Sequence, residues 1–457
     1  MTGLGVRCSR RLSPWPGQSR GSFPGGNVEN KQWHFDTLAV QGGQEPDPAT
    51  GALAVPIYQT TSYYFEDTEH AARLYTLDEP GYIYSRINNP TVRAFERRLA
   101  LLEGGADALA VASGQSATLI AILNLAQAGD HIVAASSLYG GTLTLFNNTL
   151  SKLGLSFSFV PVTEPAAFAD AVRPNTKAIY VETIGNPALD VPDFAALAQV
   201  AAEAGVPLVV DNTFASPWLC RPLELGAEVV VHSTTKYIGG HGTTIGGAIV
   251  SAGKFDWGNG KFPALATPDA AHGGLIYSER FGPAAFIAKA RAHLLSDLGP
   301  AMSPFNAFLM LQGLETLHLR MPRHCQNAIR VADYLKSQPK VSFVTFPGLP
   351  EHRCHALAER YLNGQEGRGY GAMIGFGVRG GLAAGRRFIE ALRLTRHVAN
   401  VGDAKSLAIH PASTTHGSLT PEQRLACGIS EDFIRFSVGI EHPDDIIADV
   451  EQALSRA

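Results

Sequence analysis

Lys236 stands in the run Val229-Val230-Val231-His232-Ser233-Thr234-Thr235-Lys236-Tyr237-Ile238-Gly239-Gly240-His241-Gly242. Its amine follows an apolar, strand-like segment and is flanked by hydroxyls and glycines. Open α/β sheets bind their ligands at the carboxyl ends of strands. A buried lysine at that edge is a poor structural choice and a good nucleophile toward a carbonyl, the chemistry of a Schiff base. Asp211 ends the apolar run Val206-Pro207-Leu208-Val209-Val210. A carboxylate there can hold the proton of an aromatic ring nitrogen, or it can cap the turn through Asn212 and Thr213.

Four further groups sit at comparable places. Ser113-Gly114-Gln115-Ser116 joins a strand-like to a helix-like segment. Its free backbone N–H groups and the helix dipole suit a phosphate, with Gly114 allowing close approach; an ordinary βα turn has the same composition. The hydroxyls of Ser233 and Thr235 can bond a phosphate oxygen or cap the turn that follows. Tyr139, in Ser137-Leu138-Tyr139-Gly140-Gly141, offers a ring to stack on a flat ligand, or is a packed tyrosine. Arg435 lies between Ile434 and Phe436 on a strand-like run. A half-buried guanidinium needs a carboxylate, and its fork fits that of an amino acid as well as that of a structural partner. Each signal is weak singly. Together they sit at the ends of successive βα units, where one site can use them all.

The elements that must position these groups follow a βα rhythm. Thr91 to Leu102 has a helical pattern, started by Pro90 and stopped by Gly104-Gly105. Strands are expected over 108–112, 131–135, 178–182, 206–210, 227–232 and 246–250. Helices are expected over 116–126, 143–153 and 194–204. Short apolar runs alternating with helices predict a mostly parallel sheet covered on both faces. Val55 to Tyr64 reads as an extended arm or a strand. From about Phe286 the pattern changes to helices over 305–319 and 324–336 and strands over 341–346, 372–378 and 433–438, a smaller α+β domain.

Composition narrows the function classes. The chain has 457 residues, 45% hydrophobic and 17% charged, with a formal net charge of −4. That balance carries no basic footprint for nucleic acid, and no apolar run approaches the ~20 residues of a membrane span. Five scattered cysteines suit a reduced, intracellular protein, and a cytoplasmic location is expected. Residues 1–30 differ: Arg7, Arg10, Arg11 and Arg20 occur before any acid, among many Gly, Ser and Pro. They read as a disordered extension, with an organelle transit peptide as the alternative. His352, Cys354 and His355 lie close in sequence but lack a second ligand pair at zinc spacing, so no metal is expected.

The lysine motif, Ser113-Gly114-Gln115-Ser116-Ala117, and Tyr84-Ser85-Arg86 followed by Asn89-Pro90-Thr91 together resemble the Cys/Met-metabolism family of pyridoxal-phosphate (PLP) enzymes. The resemblance runs from about Phe35 to Leu454. It implies an α/β architecture of fold type I, aspartate-aminotransferase-like, with a mostly parallel sheet in the large domain and a smaller α+β carboxy-terminal domain. The domains would be an arm at 31–85 that contributes to a neighbouring subunit, a PLP-binding domain at 86–285 and a small domain at 286–457. It further implies that Lys236 forms the Schiff base, Asp211 meets the ring nitrogen, and Asn186 in Gly185-Asn186-Pro187 contacts the ring hydroxyl. Ser113, Gly114, Gln115, Ser233 and Thr235 would cradle the phosphate, although a Met is frequent where Gln115 stands. Tyr84 and Arg86 would reach a neighbour's phosphate, and Tyr139 would stack on the ring. Arg435 would clamp the substrate carboxylate.

Arg280-Phe281-Gly282, Lys289-Ala290-Arg291, Asp297-Leu298-Gly299-Pro300, Ser303-Pro304-Phe305-Asn306, Asn400-Val401-Gly402-Asp403 and the run from His410 to His416 resemble the family's O-acetylhomoserine sulfhydrylase branch. Gly141 stands where the similar methionine lyases carry a Cys. The implied reaction is γ-replacement of acetate by sulfide, giving homocysteine. Lys236 would serve as the proton-moving base, Tyr139 or Tyr84 would assist, and Asn400, Tyr84 and Arg435 would contact substrate. The alternatives are an enzyme using the succinyl ester, a cystathionine synthase, or a catalytically silent scaffold. The partners implied are small-molecule substrates and further copies of the chain, assembled as a tetramer built from dimers with shared sites.

Overall fold

The structure is a computed structural model and describes residues 33–365, 367, 369–417, 420–426 and 428–457. The amino-terminal extension, Cys8 and Cys427 lie outside the described residues. Seven strands form the larger sheet: β1 (Asp107–Val111), β2 (His131–Ala135), β3 (Ser156–Val160), β4 (Thr176–Glu182), β5 (Leu208–Asp211), β6 (Val229–His232) and β7 (Gly247–Ser251). Their order is β1-β7-β6-β5-β4-β2-β3. Pairing is parallel throughout β6-β5-β4-β2-β3, while β7 runs antiparallel to both β1 and β6. β1 and β6 therefore end at the same edge, and β7 begins there between them.

β2, β6 and β7 are buried along their whole length, as continuous apolar runs in a doubly covered sheet must be. The sequence reading missed β3. Its run Ser-Phe-Ser-Phe-Val alternates, and it lies at the sheet's outer edge with only Val160 fully buried. β5 begins at Leu208 rather than Val206, because Pro207 has no N–H to give a ladder.

The helix Pro90–Glu103 starts on an Asn89 side chain that accepts from Thr91 and Val92, and stops at left-handed Gly104. Val55 to Tyr64 forms no strand; its one bridge pairs Ser62 with Tyr84. The break expected between 319 and 324 lies instead at Thr316. Helices Pro304–Glu315 and Leu317–Lys336 meet there, and Pro322 lies inside the second helix, which continues past it.

The second sheet contains β8 (Val341–Thr345), β9 (Met373–Val378), β10 (Arg396–His397), β11 (Leu407–Ile409) and β12 (Phe433–Ser437), in the order β10-β11-β12-β9-β8. The two short strands β10 and β11 carried too little pattern to be read from sequence. Among the described residues, Cys220, Cys325 and Cys354 are buried free thiols. No helix of the described residues is long and apolar enough to cross a membrane.

Candidate active site

Lys236 ends a turn directly after β6. Its Nζ bonds Asn400 Oδ1 at 2.5 Å, and burial followed by the nearby Arg435 charge lowers its pKa to about 8. A loop and a helix hold that turn. Gly402 has a left-handed φ of 70°, and a Cβ on it would lie 2.7 Å from the Tyr237 nitrogen. Only glycine lets the loop carrying Asn400 press so closely onto the lysine backbone. From below, buried Arg320 donates to the carbonyls of Tyr237, Ile238 and Gly313 at 2.8, 3.2 and 2.7 Å. The sequence reading missed Arg320, an arginine on a helix whose carbonyl partners lie elsewhere in the chain.

The cleft above Lys236 encloses about 270 Å³, near the lower end of the ~300–1,000 Å³ typical of small-molecule sites. At one end lies the amino terminus of the helix Gly114–Leu125, capped by Ser113. A Cβ on Gly114 would sit 2.6 Å from that of Ser233, so this turn and the lysine turn are packed as one cradle. Gln115 is tied outward to the Gly141 carbonyl at 3.0 Å. Ser233 lines the cleft. Thr235 lines it too, but its hydroxyl already pairs with the Gly246 backbone at 3.1 and 3.0 Å.

At the other end, Asp211 and Glu182 lie side by side in register on β5 and β4. Thr213 N–H donates to Asp211 at 3.0 Å. Glu182 accepts Tyr139 N–H at 2.6 Å and Asn186 N–H at 3.2 Å. Burial and then Asp211 push Glu182 well above the usual carboxylate range, and burial raises Asp211. Glu182 was also missed; its one sequence signal is an acid closing the apolar run of β4. Tyr139 remains half exposed over the cleft. Arg435, on β12, faces the same space; burial lowers its pKa, and among the described residues no carboxylate pairs with it.

Eleven of the thirteen candidate residues thus line one cleft. Tyr84 and Arg86 do not. Arg86 bonds the carbonyl and hydroxyl of Ser296 and lies over the Tyr84 ring. His352, Cys354 and His355 are each tied to nearby backbone or to Asp190. A separate cluster has His272 and His293 both bonding one oxygen of Asp269, at 2.9 and 2.6 Å.

A lysine, a phosphate-sized cradle and a buried carboxylate facing each other across one cleft agree with the sequence comparison. Residues 36–455 match the family described as Cys/Met metabolism PLP-dependent enzyme. The chain belongs to that family. A protein named O-acetyl-L-homoserine sulfhydrylase from Leptospira meyeri is 52% identical over 442 residues, covering 95% of this chain and 99% of its own. One named homocysteine synthase from Schizosaccharomyces pombe is 53% identical over 427 residues, covering 93% and 99%. The solved structure of a putative O-acetylhomoserine (thiol)-lyase from Campylobacter jejuni superposes with a TM-score of 0.89 at 37% identity, covering 93% of this chain and 100% of its own. That structure carries N'-pyridoxyl-lysine-5'-monophosphate.

The residues present fit the family's cofactor. Two adjacent buried carboxylates, both raised, are a costly arrangement unless a cation faces them, and a protonated ring nitrogen supplies one. The cradle at Gly114 offers backbone N–H groups to a phosphate. Lys236 lies between the two.

Proposed function

We propose that this chain is a PLP-dependent O-acetylhomoserine sulfhydrylase. It exchanges the γ-acetoxy group of O-acetyl-L-homoserine for sulfide, releasing L-homocysteine and acetate. The observation that carries this reading is Arg435. Its guanidinium is largely buried, has no carboxylate of its own among the described residues, and faces the cleft that holds Lys236. An amino-acid carboxylate is the partner its fork fits. Relatives at about 50% identity bearing this activity in their names support the choice of substrate.

When bound, pyridoxal phosphate supplies an electron sink for the pair released as a C–H bond breaks. The chain does the rest. Arg435 fixes the α-carboxylate. Lys236 would tether the cofactor and, as a free amine, would move protons at the substrate's Cα and then Cβ. An amine lowered to about pH 8 is a competent base near neutrality. Asn400 accepts from Nζ and aims it. Asp211 would hold the proton of the ring nitrogen, while Glu182 fixes the backbone of Tyr139 and Asn186. Acetate leaves from Cγ and hydrosulfide adds there; sulfide is already substantially ionised and needs no activating side chain.

Tyr84 and Arg86 are assigned to a neighbouring subunit's phosphate in a tetramer built from dimers. Their place on an arm outside their own cleft supports this. A cytoplasmic location goes with the same reading. Acetyl and succinyl esters of homoserine, competed with sulfide or cysteine as acceptor, test the function. Preference for the acetyl ester and sulfide is expected, and equal turnover of both esters would sink the assignment.

A further inference from the structure

Three side chains of metal-ligand type meet at a place the mechanism does not use. Asp269, His272 and His293 are half-buried, and their donor atoms all lie within 4.8 Å of one another. His272 Nδ1 lies 2.9 Å and His293 Nε2 2.6 Å from Asp269 Oδ2. The hydroxyl of fully buried Tyr277 is 3.2 Å from the same oxygen and 3.1 Å from His272 Nδ1. Asp269 Oδ1 is engaged elsewhere, accepting from the Ala271 N–H at 2.9 Å. Local folding brings the four together. Asp269 bridges to Leu275, and the left-handed pair Gly273-Gly274 between them turns the chain back, so that His272 and Tyr277 return to the carboxylate. His293 comes from a separate element, the π-helical stretch Ala290–Leu295, and such stretches recur at functional sites. The cation nearby, Lys289, donates away from the cluster to Asn124 Oδ1 at 3.0 Å.

Protons alone serve this arrangement poorly. With a proton on His272 Nδ1, that ring, His293 and Tyr277 all donate to Asp269 Oδ2, three donors for an oxygen with two lone pairs. With the proton on Nε2 instead, His272 Nδ1 accepts from Tyr277 but faces Oδ2 at 2.9 Å, two acceptors in contact. A divalent cation between the four atoms removes the conflict. Two imidazoles and a carboxylate are a zinc donor set, and donors 2.0–2.1 Å from a tetrahedral zinc lie about 3.3 Å apart. The contacts around Oδ2 and Nδ1 would each open by less than about 1 Å to reach that spacing.

We propose that Asp269, His272, Tyr277 and His293 form a zinc site, with Asp269 Oδ2, His272 Nδ1, His293 Nε2 and the Tyr277 oxygen around one ion. None of the four lines the Lys236 cleft. With four protein donors no position is open to a substrate, so the site is structural. It joins the loop at 269–277 to the helical stretch at 285–298. Both sides carry contacts to the arm: Arg280 donates to the Leu77 and Asp78 carbonyls, and Ser296 accepts from Arg86. The ion fixes the seat on which the arm rests. The proposal is independent of the reading of the cleft.

The test uses the full chain as purified, stripped of metal with a chelator and then titrated with zinc, with bound metal measured after gel filtration. A parallel titration with cobalt(II) reads donor geometry from its d–d absorption. Wild type should retain one zinc per chain and give a tetrahedral cobalt spectrum. His272→Gln and His293→Gln should each weaken zinc binding by more than ~10²-fold, because losing a donor exceeds the 10–100-fold effect of outer-shell changes, and should abolish that spectrum. Zinc should raise the Tm of wild type and leave that of both variants unmoved. Wild type that retains no stoichiometric zinc would overturn the proposal, as would either variant binding zinc as tightly as wild type. If neither histidine variant accumulates, Asp269→Asn, which keeps the side chain's shape, decides by the same measures.

Discussion

At the scale of residues, Lys236 and Arg435 share one cleft and set each other's chemistry. The amine must be neutral to capture a cofactor aldehyde. Apoenzyme should therefore take up pyridoxal phosphate about ten-fold faster per pH unit up to about pH 8 and level off above it. Arg435→Gln removes a neighbouring cation, so that break should move upward; stopped-flow absorbance reads both. The same lowering has a stability consequence. Between about pH 8 and the ordinary lysine value of 10.5 the unfolded chain binds the extra proton. Burial of Lys236 therefore costs the apoenzyme most below pH 8, and the cost is relieved as pH rises. Lys236→Ala should cut turnover by at least ~10²-fold, the lower range of acid–base contributions, and should leave no label after borohydride reduction of the loaded protein. Lys236, Asp211 and Arg435 each interrupt or end an apolar run, which marked them as candidates, and the family resemblance then separated them from a turn cap or a structural ion pair. Glu182 ends an apolar run just as Asp211 does, but it was not read because it lies in no family motif and its partners are backbone N–H groups of separate loops.

At the scale of elements, the cradle depends on close backbone packing rather than on side-chain chemistry. Gly114→Ala would force its new methyl against the Cα and Cβ of Ser233, at 2.8 and 2.6 Å. Moving those two turns apart should destabilise the protein by about 1–3 kcal/mol and weaken cofactor binding; thermal melts and a reconstitution titration check both. Arg320→Leu would leave the buried carbonyls of Tyr237 and Ile238 without donors, at ~1–3 kcal/mol each, while Gly313 keeps Thr316 as a donor. The lysine turn should loosen, with KM for substrate rising as cofactor affinity falls. The strands of the large sheet could be read because they are continuous and apolar. β3 escaped because a half-exposed edge strand alternates Ser with Phe. The support given by Arg320 could not be read, since its acceptors are backbone carbonyls that any sequence would offer.

At the scale of the whole molecule, the proposed sharing of Tyr84 and Arg86 between subunits predicts complementation. Tyr84 and Arg86 lie on a segment with little regular structure, outside their own cleft. Mixing inactive Arg86→Ala and Lys236→Ala proteins under conditions of subunit exchange should restore part of the activity, through hybrid dimers in which one cleft receives an intact copy of each residue. No recovery despite demonstrated exchange would count against sharing. The position of β7 has another outcome, which concerns synthesis. β1 pairs only with β7 in the sheet, and β7 is made after β2 to β6. Until the ribosome delivers Gly247 to Ser251, β1 has no neighbour and β6 has one open flank. A chain stalled or truncated before that point presents two bare apolar edges, a template for aggregation. The turns bearing Ser113 and Lys236 then lack the strand that holds them together.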